Sequence, residues 1–143
     1  MTDRAPTLRE STVAIVGLGL MGGSLGLALE GACARRIGVD LDHAAAEAAV
    51  VAGAIDEHEP LATAAARADI VVLAAPVRQV LLMADDVAAW MRPGCVLTDL
   101  GSTKADVCVV FDSITAPIAT MGGHPMCGRE VSGVEHADAG LFR

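Results

Sequence analysis

The sequence predicts an α/β fold, a doubly wound and mostly parallel sheet with helices on both faces. Short β-branched apolar runs alternate repeatedly with helical patterns, and a glycine-rich turn separates the first run from the first helix. The fourth run is continuously apolar, as in strands buried on both faces. Parallel neighbours need crossover connections, and the intervening helices supply them.

Residues 12–16, Thr-Val-Ala-Ile-Val, read as the first strand, and residues 20–30 beyond the glycines as the first helix. Residues 36–40 give a second strand. Residues 43–52 are an alanine-rich helix with Asp42 as N-cap and Gly53 at its end. Ala54 and Ile55 leave room for a very short third strand, and residues 61–66 for a brief helix. The continuous run at 70–74 is the fourth strand. From 77 to 91 the apolar positions Val80, Met83, Ala84, Val87, Ala88 and Met91 recur at helical spacing until Pro93-Gly94 stops them. Strands at 96–100 and 118–121 flank a helix at 103–113. Residues 125–143 show no period. The expected organisation is a tail over residues 1–11 and one domain over 12–143, consistent with a chain of 143 residues.

The formal charge of -8 and pI near 4.7 argue against general affinity for nucleic acid or anionic membranes. An anionic ligand must then be held locally, by backbone N–H groups, a helix end or one of the few cations. Cys33, Cys95, Cys108 and Cys127 lack metal-site or redox-pair spacing and read as core thiols of a reducing compartment. No metal site is expected. The polar N-terminus and the short apolar runs predict a cytoplasmic protein with neither signal peptide nor membrane span.

Gly17-Leu18-Gly19-Leu20-Met21-Gly22 matches G-x-G-x-x-G between a strand and a helix, the setting that makes this pattern a dinucleotide-binding Rossmann fingerprint. Gly17 permits the tight turn, Gly19 lets backbone approach a pyrophosphate, and Gly22 lets helix and strand pack closely. The helix N-terminus then receives the phosphates. Asp40, eighteen residues after Gly22 at the predicted end of the second strand, is placed to accept hydrogen bonds from ribose hydroxyls. Asp40 and Asp42 with no Arg or Lys immediately following favour NAD over NADP.

Ligands of such sheets bind outside the carboxyl ends of the strands, so the segments there form one expected crevice. Ala75, Pro76 and Val77 are suited to pass close to the cofactor, or alternatively to start a helix. Ser102 is a candidate catalytic hydroxyl and an equally good N-cap for the following helix. Lys104 opposes the dipole of that helix and reads either as a substrate-carboxylate ligand or as a solvated lysine. His124, between Gly122-Gly123 and Pro125, is the candidate general base.

The segments Gly17-Leu-Gly-Leu-Met-Gly-Gly-Ser-Leu-Gly26, Asp99-Leu-Gly-Ser-Thr-Lys-Ala-Asp106 and Gly123-His-Pro-Met-Cys-Gly-Arg-Glu-Val-Ser-Gly-Val-Glu135 resemble the prephenate/arogenate dehydrogenases, with the third the most specific. The resemblance implies NAD-dependent oxidative decarboxylation of prephenate or arogenate in tyrosine biosynthesis. It assigns His124 to the substrate hydroxyl with Ser102 assisting, sets Glu130 near the substrate entrance, and leaves Arg129 at a variable position of the substrate site. It also implies a homodimer and a helical domain following the Rossmann domain. The 143 residues do not include that domain, so the chain is expected to bind cofactor, to be inactive alone and to be prone to self-association. A β-hydroxyacid dehydrogenase shares Gly-Leu-Gly-x-Met-Gly and is the alternative enzyme. A non-catalytic dinucleotide-binding module is the alternative of another class.

Overall fold

Alternate residues of the first strand serve opposite layers of the molecule, because successive side chains of a strand point to opposite faces. The computed structural model describes residues 4–127 and 131–142. In β1 (Thr12–Val16), Val13 and Ile15 join a core with α1 (Leu20–Ala28) and α2 (His43–Val51). Ala14 and Val16 join the opposite core, with α3 (Leu61–Arg67), α4 (Val77–Trp90) and α5 (Ala105–Ser113). β2 (Arg35–Val39), β3 (Glu57–His58), β4 (Ile70–Leu73), β5 (Val96–Asp99) and β6 (Ala119–Met121) complete one sheet. Every pairing is parallel, and the order is β3-β2-β1-β4-β5-β6. The chain therefore reverses direction across the sheet between β1 and β4, opening a crevice at the carboxyl ends of those two strands.

Most predicted elements occur within a residue or two of their expected bounds. α4 buries Val80, Ala84, Val87 and Ala88, the stripe that its spacing prescribes. The Asp42 carboxylate caps α2, accepting from the N–H groups of Ala44 and Ala45. β6 is the least covered strand, with Ala119 and Met121 exposed.

Three expectations are corrected. The third strand is Glu57–His58 rather than Ala54 and Ile55. The latter are buried against α1, where a Cβ on Gly26 would lie 2.1 Å from the Ala54 carbonyl oxygen. What moves the strand onward is Arg36, 7% exposed although charged. Its guanidinium donates to the carbonyl oxygens of Gly26 (2.9 Å) and Gly53 (2.8 Å) and to Asp56 Oδ1 (2.9 Å), while its backbone N–H donates to Asp56 Oδ2 (2.7 Å). These bonds hold residues 53–55 as a turn, and bonding to β2 begins at Asp56, whose N–H donates to the Arg36 carbonyl (2.9 Å). The hydrogen bond from Arg36 holds the Asp56 carboxyl below the usual carboxylate range.

The second correction concerns the thiols: Cys95 alone is buried, Cys33 and Cys127 are half-buried and Cys108 is exposed. Burial pushes the Cys95 thiol up. The third is the start of α5, whose N-cap position is Lys104 rather than Ser102, with no side-chain cap.

Residues 134–142 of the period-free C-terminal stretch also have a defined position. Short 3-10 turns at Val134–His136 and Ala139–Phe142 lie across α1. Val134 and Ala137 approach Gly23 so closely that a Cβ there would meet them at 3.0 and 3.1 Å. The Ser24 hydroxyl, fully buried, accepts from the Asp138 N–H (2.9 Å).

Candidate active site

The glycine turn after β1 is built by steric necessity. Gly17 has φ +98°, and its N–H donates to the Val39 carbonyl (2.8 Å), which ties the turn to β2. A Cβ at Gly17 would also lie 2.8 Å from the Ala74 carbonyl oxygen. At Gly22 a Cβ would fall 1.8 Å from the Gly17 carbonyl oxygen, so the first turn of α1 packs directly on the loop. Gly19, the N-cap, is different: a Cβ there would meet nothing within 4 Å, and no side chain caps the helix. The N-terminus of α1 thus opens onto empty space, with its first N–H groups free of an intrahelical partner.

Two clefts meet at this point. One, of about 690 Å³, runs from the glycine turn over Asp40, Leu41 and Asp42 to Leu61, Gln79 and Met83. The other, of about 480 Å³, runs from Gly19, Leu20 and Met21 over Leu100, Gly101 and Ser102 to His124 and Cys127, and is also lined by residues 131–133. Gly19, Ala74, Ala75 and Pro76 line both. The combined trough crosses the carboxyl ends of the strands on either side of the switch between β1 and β4, in the geometry that accommodates an extended two-part ligand.

Of the residues singled out from sequence, Gly17, Leu18, Gly19, Asp40, Ala75 and Pro76 border the first cleft, and Leu20, Met21, Val77, Ser102 and His124 border the second. Gly22 lies beneath them as packing. Asp40 reaches back to the turn: Oδ2 accepts from the Leu18 N–H (2.9 Å) and Oδ1 from the Asp42 N–H (2.8 Å). It braces the glycine loop while retaining further lone pairs for a ligand. Arg129 and Glu130 lie outside the described residues. Among the described residues no group of three or more His, Cys, Asp or Glu side chains is arranged to hold a metal ion.

Lys104 has a partner that neither sequence reading of it anticipated. Its ammonium is paired with Asp99, the last residue of β5, which is 0% exposed. The pairing explains why α5 starts late: residues 99–104 fold back on the buried carboxylate, and Ser102 is left exposed on the cleft wall. Asp99 was legible in the sequence only as part of a motif, since an acidic strand end gives no sign of how deeply it is buried.

The prephenate dehydrogenase nucleotide-binding domain, as a family, matches residues 25–143. The prephenate dehydrogenase of Bacillus subtilis (strain 168) is 36% identical over 138 residues, covering 93% of this chain and 37% of that protein. A crystal structure of prephenate dehydrogenase from Aquifex aeolicus, in complex with hydroxyphenyl propionate and NAD+, superposes with a TM-score of 0.85 at 31% identity. It covers 96% of this chain and 49% of that one. Synechocystis arogenate dehydrogenase gives a TM-score of 0.78 at 26% identity, over 92% of this chain and 46% of that one. The chain therefore spans less than half the length of the relatives it matches.

Proposed function

The chain belongs to the prephenate dehydrogenase family through its nucleotide-binding domain, and from that premise we propose that it binds NAD+ along the trough and forms the cofactor half of an enzyme that oxidatively decarboxylates prephenate or arogenate. The observation that carries this reading is the single trough joining an uncapped helix N-terminus, Asp40 and His124. The open space at Gly19 suits a pyrophosphate, which the free N–H groups of α1 and the helix dipole attract on an otherwise acidic protein. Asp40 suits the ribose hydroxyls and, with Asp42, repels a 2′-phosphate. Residues 12–143 form the functional unit in this reading, with the first eleven residues as a lead-in.

NAD+ when bound supplies the two-electron acceptor for the hydride of the substrate's carbinol carbon. His124 lines the part of the trough beyond Ala75 and Pro76, where the reacting end would lie. As hydride departs, positive charge develops on the carbinol and its hydroxyl becomes acidic. A neutral imidazole there accepts that proton and lowers the barrier. Loss of the ring carboxylate as carbon dioxide leaves its electron pair in the ring, and the proton returns to the oxygen of the resulting phenol. Ser102, on the facing loop, orients the hydroxyl. Glu130 and Arg129 belong to the substrate side by resemblance. Lys104 serves as counter-ion to Asp99 rather than as a substrate ligand. A cytoplasmic homodimer acting in tyrosine biosynthesis, with the charges for the substrate carboxylates carried by the relatives' remaining length, completes the proposal.

The test has two stages. Calorimetric titration of the 143-residue chain with NAD+ should give saturable binding. His124→Asn, made in a form extended by the relatives' remaining length, should lower turnover of prephenate or arogenate by about 10²- to 10⁴-fold while NAD+ affinity is retained. Absence of NAD+ binding, or wild-type turnover in the variant, would overturn the proposal.

A further inference from the structure

The two loops that carry Ser102 and His124 are tied to the same buried carboxylate. The β5–β6 ladder ends at the pair Thr98 and Met121. Past that point the Asp99 side chain continues the connection: Oδ1 accepts from the Gly123 N–H (3.1 Å), immediately before His124. Oδ2 accepts from the Gly101 N–H (2.9 Å), immediately before Ser102, and from the Lys104 ammonium. The glycines lie tight on this residue. A Cβ at Gly123 would sit 2.5 Å from the Asp99 carbonyl oxygen, and one at Gly101 would sit 2.9 Å from Oδ2.

A strand end needs no buried charge to pack well, and burying a carboxylate is unfavourable until its partners are counted. Here the partners are two backbone donors from separate loops and one ammonium, so the ion is satisfied only while both loops are in place. A charged acceptor also makes shorter and stronger hydrogen bonds than a neutral one. We propose that Asp99 is the positioning residue of the active site, its carboxylate setting the relative placement of the Ser102 and His124 loops while Lys104 pairs with it. This rests on the reading of His124 and Ser102 as the groups that meet substrate.

The test uses the chain itself. Asp99→Asn replaces one acceptor oxygen by a donor, so the Gly101 and Gly123 N–H groups cannot both be satisfied. In the ligand-free protein, amide exchange at Gly101 and Gly123 should accelerate at least about tenfold, while the buried strand residues Val72 and Leu97 change by less than about threefold. Backbone order parameters at Ser102 and His124 should fall toward about 0.6, the flexible range. Asp99→Asn combined with Lys104→Met removes the stranded cation, secures a folded protein and should show the same local loosening.

Binding of two probes separates this proposal from the one beneath it. The single variant should hold ADP-ribose as tightly as wild type, because the Asp40 cleft is untouched. It should hold NAD+ several-fold more weakly, because the nicotinamide end lies against the loosened loops. Exchange that accelerates uniformly across the sheet, or not at all at Gly101 and Gly123, overturns the positioning role. A variant that matches wild type in both order parameters and NAD+ affinity does the same. A wild-type chain that binds neither NAD+ nor ADP-ribose overturns instead the reading of the trough as a dinucleotide site.

Discussion

Replacing Gly22 by alanine should damage the fold and the cofactor site together, whereas the same change at Gly19 should damage the site alone. The Cβ of Gly22→Ala would start 1.8 Å from the Gly17 carbonyl oxygen and 3.2 Å from Ile15 Cγ2. Comfortable non-bonded separations are about 3.5 Å, so the loop or α1 must shift by more than an ångström. Neither contact at the carbonyl can be relieved by a side-chain rotation, which puts the overpacking cost near the upper end of about 1–3 kcal/mol. Alanine recovers about 1 kcal/mol of helix propensity over glycine. The net loss of about 2 kcal/mol corresponds to roughly 4–8 °C in Tm for a domain of this size. Since the same movement displaces the N–H groups of α1, NAD+ affinity should fall by at least about tenfold, the worth of one charge-assisted hydrogen bond. Gly19→Ala meets no protein atom within 4 Å, so its stability should stay within about 0.5 kcal/mol of wild type. Its methyl group nevertheless enters the space that the phosphates need, and NAD+ binding should weaken comparably. Differential scanning calorimetry and isothermal titration on the same samples read both quantities. Wild-type melting of Gly22→Ala, or a large loss of stability in Gly19→Ala with unchanged binding, would refute the reasoning.

The bonded carboxylate of Asp56 should make stability fall on acidification. Its folded pKa is depressed, chiefly by the hydrogen bond from Arg36, so its contribution is complete above the ordinary carboxylate value of about 3.9. It is lost as pH falls through the lower folded value. Thermal melts of Asp56→Asn from neutral pH to pH 2 should start lower than wild type and converge with it at the acid end; parallel curves would exclude the pair as a source of the slope. For cofactor choice, Asp40→Ser with Leu41→Arg should reverse the preference toward NADP+ by about tenfold or more, the scale of one hydrogen bond to a charged group. Leu41 is fully exposed beside Asp40 on the cleft, so an arginine has room there. Competitive calorimetry with the two dinucleotides checks this, and an unchanged preference for NAD+ would exclude Asp40 as the discriminator.

The α/β class and most element bounds were legible along the chain because they depend on local pattern. Strand runs buried on both faces are continuously apolar, α4 carries its stripe at helical spacing, and Asp42 caps the helix that it immediately precedes. The glycine turn was legible for the same reason, since the positive φ of Gly17 and the packing of Gly22 on it arise within a single strand-turn-helix unit. Charged side chains that find partners far along the chain were not. Arg36 reaches Gly26, Gly53 and Asp56 from inside a strand and thereby moves the third strand three residues onward. Asp99 draws in Gly101, Lys104 and Gly123 and so delays α5 and exposes Ser102. The Ser24 hydroxyl and Gly23 receive the period-free C-terminal stretch across more than a hundred residues of sequence. Local propensity and hydrophobic periodicity were enough to specify the layers and the cofactor fingerprint. Tertiary structure alone decided how the buried charges are compensated, because which ions can be buried depends on donors that come together only when the sheet is assembled.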